Sequence, residues 1–180
     1  MQKLIIILFV STSIYSQTNI SIQNKILEDV YYWDQHIRKS YNNCSDKEIE
    51  YTDSVNRVIV KHTINTFGFP LTKQYSKNAI NGVYYAIQHD KIEVQQKYFK
   101  QIQQLSDSGF ISKKQYAMTY DRILSRTTGK QKYGEQRYHD TIDNTLKYIP
   151  FINIDSVQIY RKQLGLDPID LNKKTRIIVK

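Results

Sequence analysis

The chain has 180 residues, 40% of them apolar and 24% charged, with a formal charge of +9. That is long enough to bury a core without staples, and too mixed in composition for a disordered or integral membrane protein. Six glycines and three prolines are few for a turn-rich β protein, and a single cysteine, Cys44, excludes a disulfide framework or thiolate metal cluster.

The first residues have the layout of a secretory leader. Lys3 precedes an unbroken apolar run, Leu4 to Val10, followed by the small polar residues Ser11, Thr12, Ser13 and Ser16. The run is too short to span a bilayer, and no cysteine follows it to carry a lipid. The expectation is a signal peptide over 1–16, cleaved near Ser16, and a secreted or periplasmic protein without a stable membrane anchor. One helical domain would follow over 17–172, then a basic C-terminal tail, 173–180, containing Lys173, Lys174 and Arg176.

Helical periodicity dominates the rest. Ile22, Ile26, Val30, Trp33 and Ile37 step by three and four, which predicts a helix over 19–40 with that stripe inward. Ser45 with Glu48 is a capping box opening a second helix, which ends near Gly68 and Pro70. A third is expected over 76–89. A fourth spans 92–107, with Tyr98, Phe99, Ile102 and Leu105 inward and Gly109 as its stop. Ser112 with Gln115 opens a fifth, to about Arg126. Asp155 with Gln158 caps a short sixth, ended by Gly165 and Pro168. Between the last two, the segment 131–150 is irregular or hairpin-like, with His139-Asp140 as an exposed turn. The fold class is therefore mainly α: a single-domain bundle of about six helices with one short irregular segment.

Polar residues in apolar places mark the candidate site. Asp53 and Asn56 share a stripe with Ile49, Val60 and Ile64, so Asp53 needs a partner such as an arginine or a helix N-terminus. Gly82, Ala86 and His89 share one face of the third helix, where small residues admit a neighbouring backbone and His89 lies just beyond. A neutral imidazole both donates and accepts, and serves as a general acid or base if a carboxylate orients it. Gln88 flanks it. Asp121 lies on the inner face of the fifth helix, and Arg122 points about 100° away, able to meet a carboxylate. Gln131, Tyr133 and Gln136 offer a neutral hydrogen-bonding surface suited to a sugar, a peptide or a loop.

In order along the chain, Asp34-Gln35 with Arg38, Asp53 with Asn56, Gly68-Phe69-Pro70, Gln88-His89, Asp121-Arg122, Gln131-x-Tyr133-Gly134-x-Gln136, and Arg161 before Gly165-Leu166 resemble the motifs of the bacterial domain-of-unknown-function family 6624. Lys91 stands where that family carries an aspartate, and Glu135 where it carries a threonine. The resemblance implies a helical fold and a shared polar constellation, and no reaction.

Two functions compete on these residues. One is a binding or interaction module for a small molecule, glycan or protein, with a polar site gathering His89, Gln88, Asp121, Arg122, Gln131, Tyr133 and Gln136. The other is a metal-independent hydrolase, transferase or lyase. There His89 would be the acid–base group, oriented by Asp121 or Asp53, with Arg122 on an anionic group. Asp34, Asp53, Asn56 and Arg161 are candidates for a supporting polar network. Neither function needs a cofactor. His62, His89-Asp90 and Asp121 also resemble the metal-binding pattern of the helical HD phosphohydrolases, a third and weaker match. No nucleic-acid reader motif accompanies the basic charge.

Overall fold

The computed structural model describes residues 2–39, 44–171 and 175–176, with side chains described for 19–39 and 44–171. The protein is mainly helical with one small antiparallel sheet. The chain, expected to form one domain over 17–172, divides into two compact units, Met1–Asp90 and Lys91–Lys180. Among the described residues no helix is long and apolar enough to cross a membrane.

The first unit holds three helices: α1 (Gln2–Lys39), α2 (Asp46–Phe67) and α3 (Lys77–Gln88). α1 extends back well beyond the predicted start near 19, since no glycine or proline interrupts 2–39. The expected leader therefore falls on α1, and its side chains lie outside the described residues. α2 follows its capping box as predicted and stops at Gly68, whose φ of +85° favours glycine. Asn56, Val60 and Thr63 form its buried face.

The inward face of α1 differs from expectation. The buried residues are Gln23, Leu27, Val30 and Asp34, whereas Ile22, Ile26 and Trp33 are exposed. One residue of offset turns a helix by about 100°, and two contacts fix the turn. Gly82 on α3 lies directly against the Leu27 carbonyl, which brings the two backbones together. The polar residues on the chosen face are partnered: the Tyr75 hydroxyl donates to Gln23, and Arg38 pairs with Asp34. Nearby, the Ser76 N–H donates to Asn24 Oδ1 at 2.7 Å and the Ser76 hydroxyl to Glu28 at 2.6 Å, so the start of α3 is fastened to α1. Ser76 Oγ also caps α3 by accepting from the Ala79 N–H.

The second unit contains α4 (Ile92–Asp107), α5 (Lys113–Thr128), β1 (Arg137–Asp140), β2 (Thr145–Tyr148), α6 (Val157–Leu164) and β3 (Thr175–Arg176). Ile102, Leu105, Ile111 and Ala117 are buried where α4 meets α5. Tyr98 and Phe99, one turn before Ile102, are only half-buried, while Gln95, two turns before it, is buried. β1 and β2 form the expected hairpin with Tyr138 opposite Lys147. His139 and Asp140 belong to its first strand, not to a turn, and the turn is made by residues up to Asn144, at φ +53°. Thr175 pairs with Leu146, so part of the expected tail joins the sheet. At α6 the cap also departs from the capping pair Asp155–Gln158. Asn153 Oδ1 accepts from the backbone N–H of Asp155 and Ser156, and this turn, not Asp155, starts the helix.

Candidate functional site

The residues singled out by sequence fall into two clusters, one in each unit. In the first unit, His89 is the C-cap of α3. Its Nε2 lies 3.6 Å from Oδ1 of Asp34, and its side chain is 23% exposed while that of Asp34 is 2% exposed. Asp34 is thus the carboxylate beside His89. The same Asp34 oxygen sits 2.9 Å from Nη1 of Arg38, one helical turn along α1, and Gln35 donates to the other oxygen at 2.8 Å. Nη2 of Arg38 donates to both oxygens of Asp53, at 2.9 and 3.0 Å. The partner that Asp53 needs is therefore an arginine, as its place on an apolar stripe implied. Burial pushes the Asp34 carboxyl above its ordinary range, against the pull of Arg38 and Gln35.

Two more groups fix the histidine. Nη1 of Arg57 donates to the His89 carbonyl at 3.1 Å and occupies an acceptor that the helix end leaves open. The ring of Tyr85, one turn earlier, stacks on the imidazole at 6.2 Å and on Tyr31 at 6.0 Å. Arg57 and Tyr85 were not singled out from the sequence. The spacing of four between Tyr85 and His89 could have revealed the second; nothing local reveals the first. Gln88 is buried beside them. Asn56 is buried as expected, and its Nδ2 makes one long bond, 3.5 Å, to the Val30 carbonyl.

In the second unit Asp121 is fully buried on α5. Its two oxygens accept from the backbone N–H groups of Lys132, Tyr133 and Glu135 at 2.8–3.0 Å. Three amides can converge on one carboxylate because Gly134, at φ +82°, turns the loop tightly. A side chain there would also strike Ile169, 2.4 Å from the added Cβ. Burial pushes the Asp121 carboxyl up while the three amides pull it down. Gln131 uses both ends of its amide on the same loop. Nε2 donates to the carbonyls of Gln136 and Ile149, and Oε1 accepts from the Gln136 N–H. Gln136 reaches back to the Met118 carbonyl. Arg161, 5% exposed, donates to the carbonyls of Asp167 and Tyr133 and pairs with Glu135 at 2.8 Å. The Lys132 ammonium lies over the rings of Tyr160, Tyr133 and Tyr120 at 4.7, 5.2 and 5.7 Å.

These bonds give the glutamine–tyrosine–glycine motif a structural task. Gln131, Tyr133 and Gln136, expected to present a binding surface, spend backbone or amide groups on their own loop and on α5, and Asp121 is occupied by that loop's amides. Arg122 is half-buried on α5. The third, metal-dependent match gains no support: His62 is exposed on α2, and among the described residues no three His, Cys, Asp or Glu side chains are placed to hold a metal. Comparisons with family models, with curated proteins and with solved structures find no match to the chain.

Proposed function

We propose that the protein is a secreted or periplasmic binding module whose polar site is built around His89. The pairing of a reachable imidazole with the buried Asp34 carboxylate carries this reading. A ligand can touch the imidazole while Asp34 and Tyr85 flank the ring and Arg57 holds the His89 backbone carbonyl. The charges narrow the ligand. Asp34 and Asp53 face a single guanidinium, and Arg38 spends both of its terminal nitrogens on them, so the cluster suits a neutral or cationic group better than an anion. A small molecule, a glycan or a peptide can supply such a group. Export rests on Lys3, the apolar run Leu4 to Val10 and Ser16. The likeness to family 6624 rests on its short motifs alone.

The second reading is a metal-independent hydrolase, transferase or lyase. The 3.6 Å separation of His89 from Asp34 favours it, since an imidazole oriented by a carboxylate is the unit of acid–base catalysis. His89 would take a proton from the substrate, and Asp34 would stabilise the imidazolium. Asp34 replaces Asp121 as the orienting group, because Asp121 is occupied by three backbone amides.

The test pairs His89→Ala with Asp34→Asn, and measures melting temperature alongside a screen of neutral sugars, amines and short peptides by NMR. The module predicts folded variants that lose the shift changes seen in the parent. Loss of stability alone, with ligand responses intact, would reduce the cluster to architecture. Turnover of any screened compound that vanishes in His89→Ala would select the catalytic reading.

A further inference from the structure

The exposed stripe of α1 borders a groove. Between α1 and α2 lies a cavity of about 560 Å³, lined among others by Trp33, Tyr51, Thr52, Asn56 and Asp29. None of His89, Asp34 or Arg38 lines it. We propose that this groove is a second binding site, for an uncharged sugar ring of the pyranose type.

The lining sets aromatic rings and unsatisfied polar groups among the aliphatic side chains Ile26, Val30, Val55 and Ile59, and the polar groups choose the ligand. Trp33 on α1 and Tyr51 on α2 both line the groove and are 54% and 71% exposed, so each offers an aromatic ring open to solvent. A pyranose presents a face of C–H bonds that packs on such rings and an edge of hydroxyls that needs polar partners. Those partners are present. Asn56 is 4% exposed, and its amide oxygen accepts no hydrogen bond among the described residues. The Thr52 hydroxyl donates to the Glu48 carbonyl at 3.0 Å, which leaves its lone pairs to accept. An aliphatic occupant, such as the apolar face of a helix, would bury the Asn56 oxygen without a donor. Charge selects in the same direction. Among the described residues that line the groove, Asp29 is the only ionised side chain, and it pairs at the surface with Lys25 at 2.9 Å. In a chain of formal charge +9 this groove is electrically quiet, and it offers an ionic ligand no counter-charge. The volume lies within the usual range for small-ligand sites, about 300–1,000 Å³, and admits one or two rings.

Trp33 is the only tryptophan in the sequence, so tryptophan emission comes from the lining of this groove, and Tyr51→Ala separates binding here from binding at the neighbouring Asp34. The experiment titrates the full chain with maltose, cellobiose and N,N′-diacetylchitobiose, with glucuronate as a charged control. The expected result is a saturable blue shift with at least one neutral disaccharide and none with glucuronate. Tyr51→Ala, at an exposed position that does not contribute to the core, is expected to weaken the response about tenfold. Asn56→Ser, which keeps a polar group but withdraws its reach, should weaken it as well. Absence of a saturable shift with all three sugars would overturn the proposal. So would a shift that survives unchanged in Tyr51→Ala, or an emission that moves with protein concentration alone, which would mean that a second copy covers the groove.

Discussion

Gly82 and Leu27 meet backbone against backbone: a Cβ placed on Gly82 would stand 2.2 Å from the Leu27 carbonyl oxygen. This contact sets the approach of α3 to α1, and with it the place of His89 beside Asp34. Gly82→Ala is therefore expected to destabilise the protein by about 2 kcal/mol or more, since the helices must separate to admit one methyl group. Urea unfolding measures it. A change below about 0.5 kcal/mol, the usual range for surface substitutions, would mean that the helices do not touch at this glycine.

The choice of face on α1 can be checked with two substitutions. Leu27 is fully buried and Ile22 more than half exposed. Leu27→Ala should cost about 2–5 kcal/mol, and Ile22→Ser about 0.5 kcal/mol or less. Equal costs would restore the stripe through Ile22, Ile26 and Trp33 as the buried one.

Asp121→Asn replaces one acceptor oxygen with a donor that must face backbone N–H groups. The expected loss is about 2–3 kcal/mol, a buried donor left without its acceptor. Faster amide exchange at Lys132, Tyr133 and Glu135 should accompany it, while α4 and the start of α5 keep their protection. An unchanged exchange pattern at those three amides would show that the carboxylate does not hold the loop.

Two carboxylates, the exposed Glu48 and the half-buried Asp140, each contribute a pH dependence with a definite sign. The Glu48 carboxylate accepts from the Ser45 backbone N–H and hydroxyl, which holds its pKa below the ordinary 4.5. Lys147 holds Asp140 below the ordinary 3.8 in the same way. A group whose folded pKa is depressed stabilises the fold fully above its unfolded pKa, and loses that contribution as the pH falls through its folded value. The contribution of these two groups should therefore fall on acidification below about pH 4.5, opposite in sign to that of the buried Asp34 and Asp121, whose carboxyls are pushed up. Glu48→Gln and Asp140→Asn should each flatten that limb of a melting-temperature profile. NMR titration should place both midpoints below the ordinary values; a midpoint at or above them would contradict the bonding described.

The sequence by itself determined the helices and most of their ends. Ser45 with Glu48 and Ser112 with Gln115 form the capping boxes expected of them, and Gly68 and Gly129 close the helices that follow, because caps act over a few residues and need no distant partner. It also marked Asp53 as a polar group in need of a partner, His89 and Asp121 as candidate site residues, and Asp34 and Arg161 as members of a supporting polar network. Only the tertiary structure decided who those partners are. Asp34 stands beside His89 because Gly82 lets α1 and α3 close up; Asp121 gathers the amides of a loop that Gly134 bends. The face of α1 was settled there too. Its exposed stripe is as apolar as its buried one, and periodicity cannot rank two faces one residue apart when the buried one owes its place to a glycine on another helix and to hydrogen bonds with residues some fifty positions away.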